Sequence, residues 1–214
     1  MADMELGRPL AVVTPSVDGD VLRVLALAQA DFTPGTLRDV IGEHSVAGIR
    51  RALDRLALQG IVHRRSAGRA YLYSLNREHL AADPVIALAR SRERLLERLA
   101  DHVRAWQQPV VFGAVFGSAA RPDHSTSSDL DLLLVYPDGT DVDLWNAQVS
   151  TLTSAATAWT GNDARVLEYT QADIVARPND PVLASVVAEG LHFAGDATWL
   201  RTTVRRTRAT RGRA

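Results

Sequence analysis

Val110-Val111-Phe112-Gly113-Ala114-Val115-Phe116-Gly117-Ser118 and, ten residues beyond Ser118, Ser128-Asp129-Leu130-Asp131-Leu132-Leu133-Leu134-Val135 are the stretches on which the reading of this chain turns. Each holds an apolar run of strand length with no polar alternation, the pattern of a strand buried on both faces. The first run ends in Gly-Ser and the second begins with two carboxylates. Side chains alternate along a strand, so Asp129 and Asp131 share one side and Leu130 faces the other. Carboxylates placed this way repel each other unless a cation lies between them. Mg²⁺ suits the arrangement, because it binds through one or two carboxylates together with substrate phosphate oxygens. Gly117 lets the backbone approach a triphosphate closely, and Ser118 adds a hydroxyl beside the N–H groups that open the next helix.

Taken together, Phe116-Gly117-Ser118-Ala119-Ala120-Arg121 and Ser128-Asp129-Leu130-Asp131-Leu132-Leu133 resemble the polymerase-β-like nucleotidyltransferase superfamily, in its minimal nucleotidyltransferase branch. The resemblance implies a nucleoside triphosphate held by Gly117, Ser118 and Arg121, and two Mg²⁺ ions on Asp129, Asp131 and a third carboxylate from a later strand. Asp141 to Trp159 reads as a helix and Gly161-Asn162 as a turn. Arg165-Val166-Leu167-Glu168-Tyr169 reads as that later strand, and Glu168 is the only acid inside it. Glu168 is therefore the expected third ligand or general base, with Asp163 next in order. The chain departs from the family at Pro122, where glycine usually follows the arginine, so the loop through Asp123 and His124 is unusual. Asp123, Asp138, Asp141 and Asp143 read as loop and cap acids. The implied reaction is attack of an acceptor hydroxyl on the α-phosphorus with loss of pyrophosphate. The acceptor is a protein, an RNA 3′ end or a small molecule. Related minimal enzymes occur in toxin–antitoxin pairs.

Upstream, Ser16 caps an apolar period of Val21, Leu22, Leu25 and Ala28, and Thr33-Pro34 opens a short helix through Leu37, Val40 and Ile41 that stops at Gly42. Ser45 caps a third helix with Val46, Ile49, Leu53 and Leu56 expected inward and Gly60 past its end. Residues 61–66 and 69–75 then alternate around Ala67-Gly68, as in a β-hairpin. Three short helices and a hairpin resemble the winged helix-turn-helix regulators of the MarR and ArsR kind. Arg50, Arg51 and Arg55 lie off the apolar stripe of the third helix, where they can enter a major groove. Arg64, Arg65 and Arg69 stand on the wing, within reach of phosphates or a minor groove. Tyr71 and Tyr73 read as packing residues. DNA is the expected partner, against the plainer reading of a protein-docking domain with a solvated arginine face.

Between these halves, Asp83-Pro84 starts a helix expected to run to about Trp106, with Leu88, Leu95, Leu99, Val103 and Trp106 as its stripe. It reads as an inter-domain strut or a dimer helix; dimer is favoured because such regulators read two half-sites, so a homodimer is expected. The expected organisation is an α+β chain: a winged helix domain over 1–83, a linking helix over 84–107, a nucleotidyltransferase domain with a small mixed sheet over 108–200, and a basic disordered tail over 201–214.

Composition narrows the chemistry. The chain has no cysteine and all 24 basic residues are arginine, which excludes disulfides, thiolate metal sites, Walker-type loops and Schiff bases. Net charge is −1, but it is segregated. Residues 16–80 carry nine Arg and seven acids, 105–200 three Arg and twelve acids, and 201–214 six Arg and no acid. An acidic middle suits a divalent cation and basic flanks suit polyanions. With Asp3 and Glu5 ahead of a short apolar run, no signal peptide or membrane span is expected, and the location is cytoplasmic. Two rival readings are a regulator whose transferase-like domain only senses nucleotide or docks a partner, and an RNA-modifying transferase that holds RNA through the winged helix and arginine tail.

Overall fold

The computed structural model describes residues 4–121 and 129–211. The chain divides into two compact units, one of residues 8–92 and one of residues 93–211 together with 4–7. Pro122, Asp123, His124 and the rest of that loop lie outside the described residues. No described helix is long and apolar enough to cross a membrane.

The first unit follows the periodicity of its sequence. Helices α1 (Val17–Leu27), α2 (Pro34–Ile41) and α3 (Val46–Leu58) are followed by the antiparallel hairpin β1 (Val62–Ala67) and β2 (Ala70–Leu75). Thr33 and Thr36 form a reciprocal capping box at the start of α2, and the Ser45 hydroxyl accepts from the Gly48 N–H at the start of α3. The hairpin closes through Gly68 at φ +62°, a conformation open to glycine at little cost. Phe32 exchanges two backbone hydrogen bonds with Tyr73, so a third short segment lies beside the hairpin. Val21, Leu25, Leu37, Ile49, Leu53 and Tyr73 form the core. Val46, expected inward, is exposed instead.

A buried charge ties this unit together. Asp20 of α1 is only 4% exposed, and both its oxygens accept from Arg8, at 2.9 and 2.7 Å, while His44 Nε2 lies 2.8 Å from Oδ2. Burial pushes the carboxyl up, but the hydrogen bonds and charges of Arg8 and His44 outweigh it and hold it below its ordinary value.

The second unit is built on a four-stranded mixed sheet in the order β5-β4-β3-β6. β3 (Phe112–Phe116) runs antiparallel to β4 (Leu130–Tyr136) and to β6 (Leu191–Gly195), while β4 and β5 (Ala164–Thr170) are parallel. A parallel pair needs a long crossover, and helix α6 (Val142–Thr160) supplies it. The even-numbered leucines Leu130, Leu132 and Leu134 pack with Trp145, Val149 and Leu152 of α6 and with Leu95, Leu99 and Val103 of α5 (Ser91–Arg104). Odd-numbered Leu133 and Val135 pack with Ile174 of α7 (Gln171–Ala176), Leu183 of α8 (Pro181–Glu189) and Leu200 and Val204 of α9 (Trp199–Arg211).

Two expectations about organisation are corrected. The helix expected from Asp83 to Trp106 is two helices, α4 (Ala82–Ala89) and α5, separated at Arg90, whose φ of −94° and ψ of 17° leave the helical region. Each joins a different core: Ala82 and Ala89 with α1 and α3, and Leu95, Leu99 and Val103 with the sheet. The apolar residues of the expected stripe thus pack within these two cores. The tail expected to be disordered from residue 201 is helical to Arg211, because Leu200 and Val204 bury one of its sides.

Replacing Asp20 by Ala should cost about 2 kcal/mol in urea unfolding, since Arg8 and His44 lose the buried carboxylate they bond. In wild type the contribution of this pair should be complete above about pH 4, the unfolded carboxylate value. It should be lost as the pH falls from there through the lowered folded value. A pH-stability profile identical in Asp20→Asn would contradict this.

Candidate active site

The site is built where β3 and β4 pair. Phe116, the last residue of β3, lies opposite Asp131, so the chain leaves β3 beside that carboxylate. It turns there at Gly117, with φ +69°, into a short 3-10 turn over Gly117–Ala120 anchored by buried Ala119 and Ala120. A Cβ on residue 117 would stand 2.6 Å from Asp131 Oδ2. Glycine is favoured here by the backbone angle, and a side chain would have to push the Asp131 carboxylate aside. Ser118 follows, half-buried, on the same turn.

Asp129 and Asp131 fall on the odd-numbered face of β4, together with Leu133 and Val135. Burial pushes the Asp131 carboxyl above its ordinary value, the charge of Asp129 pushes it further, and Arg165 partly offsets both. An acid raised by a like charge gains from any cation that joins the pair. Asp129 already has one: its Oδ2 lies 2.5 Å from Arg165 Nη1, and Arg165 Nε donates to Asp163 Oδ2 at 3.2 Å. Arg121 leaves the 3-10 turn exposed and pairs at 3.5 Å with Glu189, at the end of α8.

Glu168 does not join this group. Parallel pairing sets Asp131 opposite Arg165 and Leu134 opposite Glu168. Arg165, Leu167 and Tyr169 therefore occupy the face of the aspartates, and Glu168 turns to the other, where it accepts from the indole N–H of Trp145. Its assignment as third ligand or base is corrected accordingly. Asp163 precedes β5, but it reaches Asp129 only through Arg165. Among the described residues no group of three or more acids or histidines could hold a metal ion. The donor set fits one Mg²⁺ shared with phosphate oxygens, and the described residues offer no further carboxylate for a second ion.

In the first unit all six arginines expected to touch DNA are exposed. Three are matched by acids of the same unit: Arg55 with Asp18 at 2.6 Å, Arg65 with Asp31 at 2.5 Å and Arg64 with Asp54 at 3.5 Å. Arg64 also stacks 4.7 Å above the ring of Tyr71. Arg50, Arg51 and Arg69 have no ion pair among the described residues, and Arg50 and Arg69 line one groove with Thr33, Pro34, Val46 and Tyr71. Tyr73 is buried, as a packing residue should be.

Residues 93–179 match the family model described as nucleotidyltransferase domain. No curated protein matches the chain. Among solved structures, similarity extends to a mutant of the toxin–antitoxin MntA-HpeT, at 14% identity over 55% of this chain and 87% of that one, with a TM-score of 0.40. A toxin–antitoxin with AMP-PNP gives 15%, the same coverages and 0.40. A tri-AMPylated Shewanella oneidensis HEPN toxin in complex with MNT antitoxin gives 14%, 56% and 87%, and 0.38. The family match covers residues 93–179, less than half of the chain, and supports an enzyme of the nucleotidyltransferase kind.

Because Glu168 faces away from the aspartates, Glu168→Gln should transfer within about twofold of wild type, against the roughly hundredfold loss of removing a general base. It should instead lower stability by about 1 kcal/mol through the weakened Trp145 hydrogen bond. A hundredfold loss of turnover at unchanged nucleotide affinity would restore it to the reacting groups.

Proposed function

We propose that this chain transfers a nucleoside monophosphate from a nucleoside triphosphate to a hydroxyl acceptor, with a Mg²⁺ ion held by Asp129 and Asp131. The observation that carries the reading is the contact between Asp131 and Gly117, which sets two carboxylates beside a Gly-Ser turn. The missing side chain at Gly117 admits the Asp131 carboxylate, and Ser118 offers a hydroxyl to a phosphate beside it. Arg121 can leave Glu189 cheaply, since an exposed pair at 3.5 Å is weak. The acceptor oxygen forms a bond to the α-phosphorus as the bond to the β-phosphate oxygen breaks. The hydroxyl proton passes to solvent or to the acceptor's own surroundings, as no described side chain on this face is placed as a base. The ion, when bound, supplies charge neutralisation on the phosphates. Positioning and electrostatics are enough for a site with so few groups.

The acceptor is a protein, RNA or small-molecule hydroxyl. A toxin–antitoxin setting, with the acceptor on the partner protein, is the extension the resemblance implies, and a cytoplasmic location suits it. A sensor reading has its own support, because β5 contributes no acid to this face. Calorimetry with ATP and Mg²⁺, followed by incubation of labelled nucleotides with native lysate, separates the two. Wild type should bind and label an acceptor, and Asp129→Asn with Asp131→Asn should lose Mg²⁺-dependent binding while keeping its unfolding midpoint. Binding without any labelling favours the sensor, and undiminished binding by the double variant moves the site elsewhere.

We read the first unit as a winged helix that binds DNA, the regulator half of the chain, because the unmatched charges of Arg50 and Arg69 converge on one groove. Arg50, Arg51 and Arg69 should dominate binding, since acids of the same unit do not already neutralise them. Replacing these three by Gln should flatten the dependence of log affinity on log salt by about 0.9 for each phosphate left without its arginine. The same change at Arg55, Arg64 and Arg65 should have a smaller effect. Equal effects of the two triple variants in fluorescence anisotropy would refute that division, and no binding by wild type would remove the DNA reading.

A further inference from the structure

On the face of β5 that adjoins the two aspartates, the residue opposite Asp131 is a cation. Arg165 reaches Asp129 with one guanidinium nitrogen at 2.5 Å and Asp163 with another at 3.2 Å, and its side chain is 62% exposed. It is thus a positive charge at one of the two carboxylates that a divalent ion would use. It is also held by interactions that cost little to break, because exposed ion pairs are weak and exchange with water. Asp163 gives the guanidinium a second anchor, so that releasing Asp129 does not set the side chain adrift.

We propose that Arg165 is the counter-cation of this site: it competes with the divalent ion for Asp129 and, once displaced, takes hold of the nucleotide's phosphates. The inference rests on the reading of Asp129 and Asp131 as the metal-binding pair. Two like charges cannot both sit on Asp129 without repulsion, so the ion must displace the guanidinium or bind more weakly beside it. The displaced group has a planar fork of donors that matches phosphate oxygens. Arrival of the metal–nucleotide complex brings both the charge that evicts Arg165 and the anion that receives it. Arg165 is then a nucleotide-binding residue, which lowers the affinity for bare metal and raises that for the metal–nucleotide complex. No covalent bond is made or broken in this exchange.

The test is titration of the full chain with Mn²⁺ alone, reading free Mn²⁺ by electron paramagnetic resonance, and then with ATP at saturating Mn²⁺. Arg165→Gln should bind Mn²⁺ at least about fivefold more tightly than wild type, as expected for removing a unit charge a few ångströms from a divalent ion. Its affinity for ATP at saturating Mn²⁺ should fall about tenfold, the scale of one missing charge-assisted hydrogen bond. Asp163→Asn leaves the guanidinium only Asp129, and should weaken Mn²⁺ binding. Arg165→Lys should retain the competition and show most of the drop in ATP affinity, because an ammonium has no fork. Unchanged or weaker Mn²⁺ binding by Arg165→Gln, in a chain that keeps its unfolding midpoint, overturns the proposal while leaving the metal site standing. Tighter Mn²⁺ binding with unaltered ATP affinity overturns the transfer to phosphate. If neither wild type nor Arg165→Gln binds Mn²⁺, the metal-site reading fails and the proposal falls with it.

Discussion

The Asp131 carboxylate occupies the space where a side chain on residue 117 would stand, and the candidate site of the second unit is built around that approach. The pairing of Phe116 with Asp131 brings the two strands together, but ordinary strand pairing would leave room for a side chain at the following residue. Here there is none, because a Cβ would meet the carboxylate at 2.6 Å. The backbone turns here with a positive φ, and the 3-10 turn carrying Ser118 begins at this residue. Strand pairing and this close approach together set the Gly-Ser turn beside the carboxylates.

The electrostatics of the unit follow from the same crowding. Asp131 is half-buried beside a second carboxylate, and its affinity for a proton rises as a result. The fold relieves the repulsion unequally: Arg165 serves Asp129 directly and Asp131 only from a distance. The acid with the weaker compensation is the one that lies beside Gly117, and the acid with the stronger compensation stands at the start of the strand.

Much of this is legible in the residues themselves. Caps at Thr33 and Ser45, the break at Gly42 and the turn at Gly68 are local chemistry, and the helices and hairpin of the first unit follow them closely. The same is true of β3 and β4, whose apolar runs leave no other assignment. What is not legible is register and tertiary context. Nothing in the order Arg165 to Tyr169 says which side chains face Asp131, since that depends on the offset between two parallel strands, and an even offset sends Glu168 to the far side. An unbroken stripe from Leu88 to Trp106 does not reveal that its two ends belong to different cores. The last helix is hidden because its buried residues, Leu200, Thr203, Val204 and Thr207, include two threonines and sit among arginines. Composition there reads as a polar tail, and only the hydrophobic surface it covers makes it a helix.

β5 is also the edge of its sheet among the described strands, a position with consequences beyond the site. An edge strand offers a row of unpaired backbone groups to any other strand, and natural sheets guard such edges with charge. Arg165 stands on one face of β5 and Glu168 on the other, so a foreign strand laid along this edge would meet a full charge whichever way its side chains turned. The strand that lines the carboxylate pair is in this way protected against accretion of further sheet.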